Sequence, residues 1–270
     1  MIRVRWRPVA AVVLRQAYLM RGSPSRVVPL FAWVAVDIAL WGLISRYLDA
    51  VTAAGLRFVP VLLGAVLLWD FFIRVMQGVT MAFFEDVWSR NFLNVFATPI
   101  SIAEYVTGLV LSSVATSAIG LAAMLALAGG LFGLSLLAYG LLVAPALMVL
   151  FLFGLALGVL GSALVLRLGP AAEWFVWPIP ALISPFAGVF YPVATLPGWM
   201  QPISHLLPPS WVFEALRAVV SGHAPSWPSL ALAAGQAVAY LLLAGLVFAR
   251  VHRAAVRSGL IARYSAESVT

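Results

Sequence analysis

An all-α, polytopic membrane protein is the fold class this sequence predicts, and three observations carry that reading. The 270 residues are 64% hydrophobic and only 9% charged, with a mean hydropathy of +1.06. A soluble domain needs far more polar surface. Apolar runs of about 20 residues, the length that crosses a bilayer's hydrocarbon, recur along the chain. The arginines gather at the ends of those runs, where the positive-inside bias places them. The pI near 10.5 therefore reflects membrane flanks and not a nucleic-acid partner.

Composition also excludes chemistry. There is no cysteine, hence no disulfide framework and no thiolate metal site. There is no lysine either, so the phosphate-binding lysine of a Walker-type P-loop is missing. His205, His223 and His252 are far apart and show no metal-binding spacing. No G-x-S-x-G is present, and no catalytic constellation or cofactor site is expected in this chain.

In chain order, Arg3, Arg5 and Arg7 before the short apolar run Val9 to Leu14 mimic a signal peptide, but no A-x-A site follows. Residues 8–22 are instead expected as a helix lying on the membrane surface, with Pro8 at its first position. Gly22-Ser23-Pro24 breaks it. The first span is expected over roughly 27–44, a polar loop over 45–57, and the second span over roughly 58–81. The stretch 83–97 reads as one amphipathic helix. Phe84, Trp88, Phe92, Val95 and Phe96 share one face, and Glu85, Asp86, Ser89, Arg90 and Asn94 the other. Pro99 stops it by pushing Thr98 out of the α region. Ser101 and Glu104 form an S-x-x-E capping box that starts the third span, expected to end at Gly129-Gly130. The fourth span begins near Leu136, is kinked by Pro145, and ends before Arg167.

The fifth span, from Ala171, cannot be one straight helix. Eleven of the 17 prolines lie between Pro170 and Pro228. Broken helix and short re-entrant pieces are expected, lined by protein or water. Ser210 is placed as the cap of a short helix over 211–220, in which Glu214 and Arg217 pair at i,i+3. The last span covers roughly 229–249. The whole is one domain over 1–270: an interfacial helix (1–26), three spans with the amphipathic stretch (27–128), three spans with the proline-rich region near 178–228 (129–249), and a basic tail (250–270). With six spans and both termini in the cytoplasm, only Arg46, Arg57 and Arg217 fall outside. The stretch 83–101 then faces the cytoplasm.

Charges within spans need a partner or water, because each costs at least ~2.5 kcal/mol at the bilayer centre. Asp37 lies in the first span, and Asp70 and Arg74 in the second at i,i+4. The plain reading is that Asp70 and Arg74 neutralise each other; the sharper one is that they line a polar conduit for a head group. Trp33, Asp37 and Trp41 share a face that suits either a sugar or a buried helix contact. Trp174 and Trp177 flank Pro178 and are weighed in the same way.

These motifs carry a resemblance. EDVWSRNFLNVFATPISIAEYVTG, and SPFAGVFYPVATLPGW followed by Leu207-Pro208-Pro209 and Phe213 to Arg217, look like the two marked regions of permease subunits of type-2 ABC exporters. The subgroup it most resembles exports lipid-linked saccharides, drugs or lipids. The resemblance implies that two such permeases form the pore and that separate ATPase subunits, carrying ATP and Mg, dock from the cytoplasm. It implies that 85–97 is the coupling helix. It also implies that the region holding Pro185, Tyr191, Pro192, Pro197, Pro208, Glu214 and Arg217 forms re-entrant helices at the outer mouth. Glu85, Asp86, Arg90, Asn91 and Asn94 are then the expected docking residues; the alternative is a solvated polar face. An ion-driven secondary transporter is a rival reading, though no internal repeat supports it. An intramembrane lipid enzyme is a third, with no catalytic pair to support it.

Overall fold

The computed structural model describes residues 5–51, 59–89 and 92–259. It is helical throughout. Among the described residues, five helical stretches are long and apolar enough to cross a membrane: 31–51, 59–88, 102–132, 139–168 and 227–257. The sixth expected span, the fifth in chain order, is broken into pieces, none of which is long enough alone.

Helix α1 (Trp6–Arg21) lies against α5 (Ile102–Phe132), with Val12 on Gly108 and with Val9 and Gln16 buried. It starts two residues before Pro8, which sits within the first turn, where its missing N–H costs nothing. Helix α2 (Pro24–Val51) is longer than the span expected at 27–44 and carries Arg46 within it. Arg46 donates to the Leu131 carbonyl at 2.7 Å and lies over the Phe132 ring. That contact docks α2 on the carbonyl end of α5, where a cation is favoured.

A π-helical turn, Val59–Leu63, leads into α3 (Gly64–Trp88). The Tyr139 hydroxyl donates to the Pro60 carbonyl there. Gly64 makes room, since a Cβ at that position would stand 1.7 Å from the hydroxyl. After α3 come α4 (Phe92–Ala97) and α5. Helix α5 does not stop at Gly129-Gly130. It runs to Phe132 and ends on Gly133, whose φ of 71° supplies the left-handed cap. A 3-10 segment (Leu136–Leu142) precedes α6 (Val143–Leu168). Pro145 falls in the first turn of α6 and not mid-span, so no kink is needed; the break sits at Gly140, with φ 58°.

Helices α3 and α6 form the centre. In α6 78% of the most apolar window is buried, against 22% in α2 and in α11 (Trp227–Arg257). The α3–α6 contact is built on small residues. A Cβ on Gly158 would stand 2.7 Å from the Met76 carbonyl oxygen, and one on Gly154 3.0 Å from that of Phe72. Such glycines at i,i+4 let two backbones approach where lipid offers no hydrophobic drive. Ala233, Ala237 and Ala244 of α11, all fully buried, serve the contact with α6 in the same way.

The proline-rich region folds as expected into short pieces. They are α7 (Glu173–Val176), α8 (Ile179–Ala187), a 3-10 turn (Val193–Thr195), α9 (Gln201–Leu206) and α10 (Pro208–Val220). Ser210 does not cap α10. The helix begins earlier, with Pro208 in its first turn, and the Ser210 hydroxyl donates to the Ser204 carbonyl at 2.6 Å. Arg250, Arg253 and Arg257 belong to α11 and not to a separate tail; Arg263 lies outside the described residues.

Candidate functional site

The stretch expected as a single amphipathic helix over 83–97 is two elements. Helix α3 continues unbroken through Trp88, so Glu85 and Asp86 sit on the end of the second span and not on a separate surface helix. Arg90 and Asn91 lie outside the described residues. The six-residue α4 follows, with Asn94 exposed. Thr98 and Pro99 turn the chain, and the capping box is present as expected. Glu104 N–H donates to Ser101 Oγ at 3.2 Å, and Ser101 N–H donates to Glu104 Oε2 at 2.9 Å.

Asp86 is turned inward. It is fully buried, and both of its oxygens accept from the Arg15 guanidinium of α1, the Nη1–Oδ2 contact at 3.1 Å. The Tyr105 hydroxyl donates to Oδ2 at 2.6 Å. In this conformation Asp86 offers nothing to a partner in the water. Glu85 is half-buried and Trp88 is 48% exposed, so among the described residues the accessible part of this corner includes Glu85, Trp88, Ser89 and Asn94.

A second carboxylate repeats the arrangement. Glu104, 1% exposed, accepts from the Arg5 backbone N–H at 2.8 Å and from its guanidinium at 2.9 and 3.2 Å. Arg5 also donates to the Pro99 carbonyl. The hydrogen bonds to Glu104 first, and its charge second, hold the Arg5 guanidinium above its ordinary value. Between the two ion pairs Val12 packs on Gly108, where a Cβ would stand 2.6 Å from Val12 Cβ. Thus α1, the end of α3 and the start of α5 are joined by two carboxylates, two arginines, a tyrosine and one close backbone approach. Removing the partner of the buried Asp86 would strand its charge at a cost of about 3–5 kcal/mol, so the end of α3 is held firmly to α1 and α5.

At the opposite end of the bundle the expected Glu214–Arg217 pair forms at 2.8 Å. It also stitches the loops. Arg217 donates to the Gly188 carbonyl at 2.7 Å, and Glu214 accepts from the Val193 N–H at 2.7 Å. Gly188, with φ 59°, presents that carbonyl. The Tyr191 hydroxyl donates to the Pro185 carbonyl at 2.8 Å. The Pro192 and Pro197 carbonyls close local turns by accepting from Thr195 and Met200.

Of the residues placed on a translocation path, Asp37, Asp70 and Arg74 come together, each within reach of the others' charge. The expected pairing of Asp70 with Arg74 does not close on Asp70 Oδ2, which is buried and accepts no hydrogen bond. Trp33 is 69% exposed and Trp174 73%. Trp41 instead stacks on Phe190, with centroids 4.8 Å apart and planes 10° from parallel. Trp177 borders a shallow apolar recess with Met76, Thr80 and Phe84. No group of three or more metal-ligating side chains occurs among the described residues.

The family model described as ABC-2 type transporter matches residues 9–220. The chain belongs to the ABC-2 type transporter family. Matched residues include most of α1, the Arg15–Asp86 clamp, Glu104 and the Glu214–Arg217 stitch, whereas Arg5 precedes the match. A search of curated proteins returned no match. The permease is a multi-pass membrane subunit of an ABC transporter. Families of this kind work with a nucleotide-binding ATPase, which fits a chain with no lysine for a P-loop.

Sequence reasoning missed Arg5, Arg15 and Tyr105 as parts of this site. The local capping box pointed to Glu104, but its arginine partner is 99 residues away in the chain.

Proposed function

We propose that this chain forms half of the pore of an ATP-driven exporter, with a second copy or a homologous permease as the other half. It sits in the cytoplasmic (inner) membrane with both termini in the cytoplasm, which puts most of the arginines on that side. A separate ATPase subunit, holding ATP and Mg, docks on the corner marked by Glu85, Trp88 and Asn94, with Arg90 and Asn91 as further docking residues read from the sequence. The substrate is a saccharide-lipid, a lipid or a drug-like amphiphile.

The observation that carries this reading is the clamp at that corner. A lever must be stiff and continuous with the spans it moves. Here Glu85 and Trp88 lie on the last turn of α3 itself, and two buried carboxylates tie that end to α1 and α5. Closure of a partner against the corner then bears on three elements at once, and a two-state bundle can respond to it.

Co-purification tests the proposal. The tagged chain, extracted in mild detergent with its native partners present, is expected to bring down an ATPase in stoichiometric amount. Glu85→Arg is expected to lower capture and transport-coupled ATP hydrolysis at least tenfold, a loss of about 1.4 kcal/mol of coupling, at unchanged membrane abundance. A chain that purifies alone and transports in proteoliposomes without ATP would sink the reading.

A further inference from the structure

The middle of the bundle holds a charge imbalance that neither clamp addresses. Asp37 lies on α2, and Asp70 and Arg74 on α3, well inside the spans 31–51 and 59–88. Each is within reach of the others' charge. Among the described residues, two acids therefore face one guanidinium. Asp70 Oδ2 is buried and accepts no hydrogen bond. A second observation comes from α5. Ser117 is 2% exposed, and its hydroxyl has no partner. Its level follows from the helix register. Ser113 Oγ donates to the Val75 carbonyl at 3.0 Å, and a Cβ on Gly120 would stand 3.2 Å from Arg74 Cδ. Ser117 lies between those two contacts, against the same stretch of α3.

Among the described residues, no charge on α5, α6, the π-turn or α10 redresses the balance. Along α5 the titratable side chains are Glu104 and Tyr105, at its far end and committed to Arg5 and Asp86. Helix α6 carries only Arg167, at its end, and the π-turn Val59–Leu63 none. Helix α10 brings Phe213 near Trp69, while its own acid, Glu214, is held by Arg217. Removed from water, an ionised carboxylate without a partner is far less favourable than the neutral acid. Two carboxylates beside a single cation cannot both stay ionised there, and they titrate as one unit.

We propose that Asp37, Asp70 and Arg74 form an intramembrane proton-binding site that holds one proton, on Asp70, and so keeps the α2–α3 contact electrically neutral. Asp37 stays ionised as the counter-charge of Arg74. The bound proton exchanges with water as COOH to COO⁻ plus H⁺, and Ser117 lies in the same layer as a hydroxyl that a neutral acid can bond. Raising the pH strips the proton and leaves a net negative charge at bilayer depth. The bundle therefore loses stability as pH rises, and loses none when Asp70 is replaced by its neutral amide.

Infrared difference spectroscopy of the full chain in lipid nanodiscs, read at the carbonyl stretch of the protonated carboxylic acid, tests this without any ATPase. It therefore stands or falls separately from the exporter reading. The wild type is expected to show the band at neutral pH. Asp70→Asn is expected to abolish it. Asp37→Asn is expected to abolish it too, because Asp70 then becomes Arg74's counter-charge and gives up the proton. Arg74→Gln is expected to double it, as both acids become protonated. If one variant fails to insert, the other two still decide. A wild type without the band, a band that survives both aspartate variants, or one that Arg74→Gln leaves unchanged would overturn the proposal.

Discussion

Helix α3 carries two aspartates that the bilayer treats differently. Asp86, near the end of the helix, is fully buried yet holds a bidentate arginine and a tyrosine hydroxyl. Asp70, near the middle, has a buried oxygen with no donor. The difference is positional. Near the end of the span α1, a helix outside the five spans, delivers an arginine whose side chain reaches inward. At mid-depth no such helix is available, and the neighbours are other spans chosen for apolar packing. A carboxylate at the edge can therefore be structural. One in the middle has to find its neutrality in a proton, a counter-ion or a ligand.

Substitutions can break that contrast. The largest effect is expected from Asp86→Ala, which strands Arg15 and the Tyr105 hydroxyl. A loss of about 3 kcal/mol is expected, read as a lower unfolding temperature in nanodiscs and reduced membrane abundance. Tyr105→Phe removes one donor and leaves the ion pair, so about 1.5 kcal/mol is expected from the same melting measurement. Asp70→Asn is expected to change stability at neutral pH by less than about 0.5 kcal/mol, as an amide replaces an acid already neutral. If Asp70→Asn destabilised as much as Asp86→Ala, Asp70 would be a structural partner of the same kind and the contrast would fail.

Much of the fold was legible because its signals are local. The capping box at Ser101 and Glu104, the turn at Pro99, the proline-broken segment and the Glu214–Arg217 pair each need only a few neighbouring residues. The corner was misread for a definable reason. Starting a new helix at residue 83 and anchoring its apolar face on Phe84 puts Asp86 on the wet side. In the continuous α3 the buried face runs through Phe83, Asp86 and Val87 at i,i+3,i+4, with exposures of 0%, 0% and 7%. An acid on that face is hidden by a partner that periodicity cannot show, since Arg15 is 71 residues away. The same limit applied to Trp41, whose stacking partner Phe190 lies on a distant loop. The charge cluster at Asp37, Asp70 and Arg74 was readable as unusual from residue type and depth alone; that α2 and α3 bring all three together was not.

The sequence distance across the clamp also fixes an order of assembly. Arg5 and Arg15 leave the ribosome long before their partners, Glu104 and Asp86, which follow 99 and 71 residues later. At synthesis rates of roughly 5–20 residues per second, that is a wait of several seconds to about 20 s. During it neither clamp can close, because α3 and the start of α5 have not yet been made. Closing of the N-terminal clamp can therefore come only after the start of the third span has been made, an order set by pairing residues that are synthesised far apart.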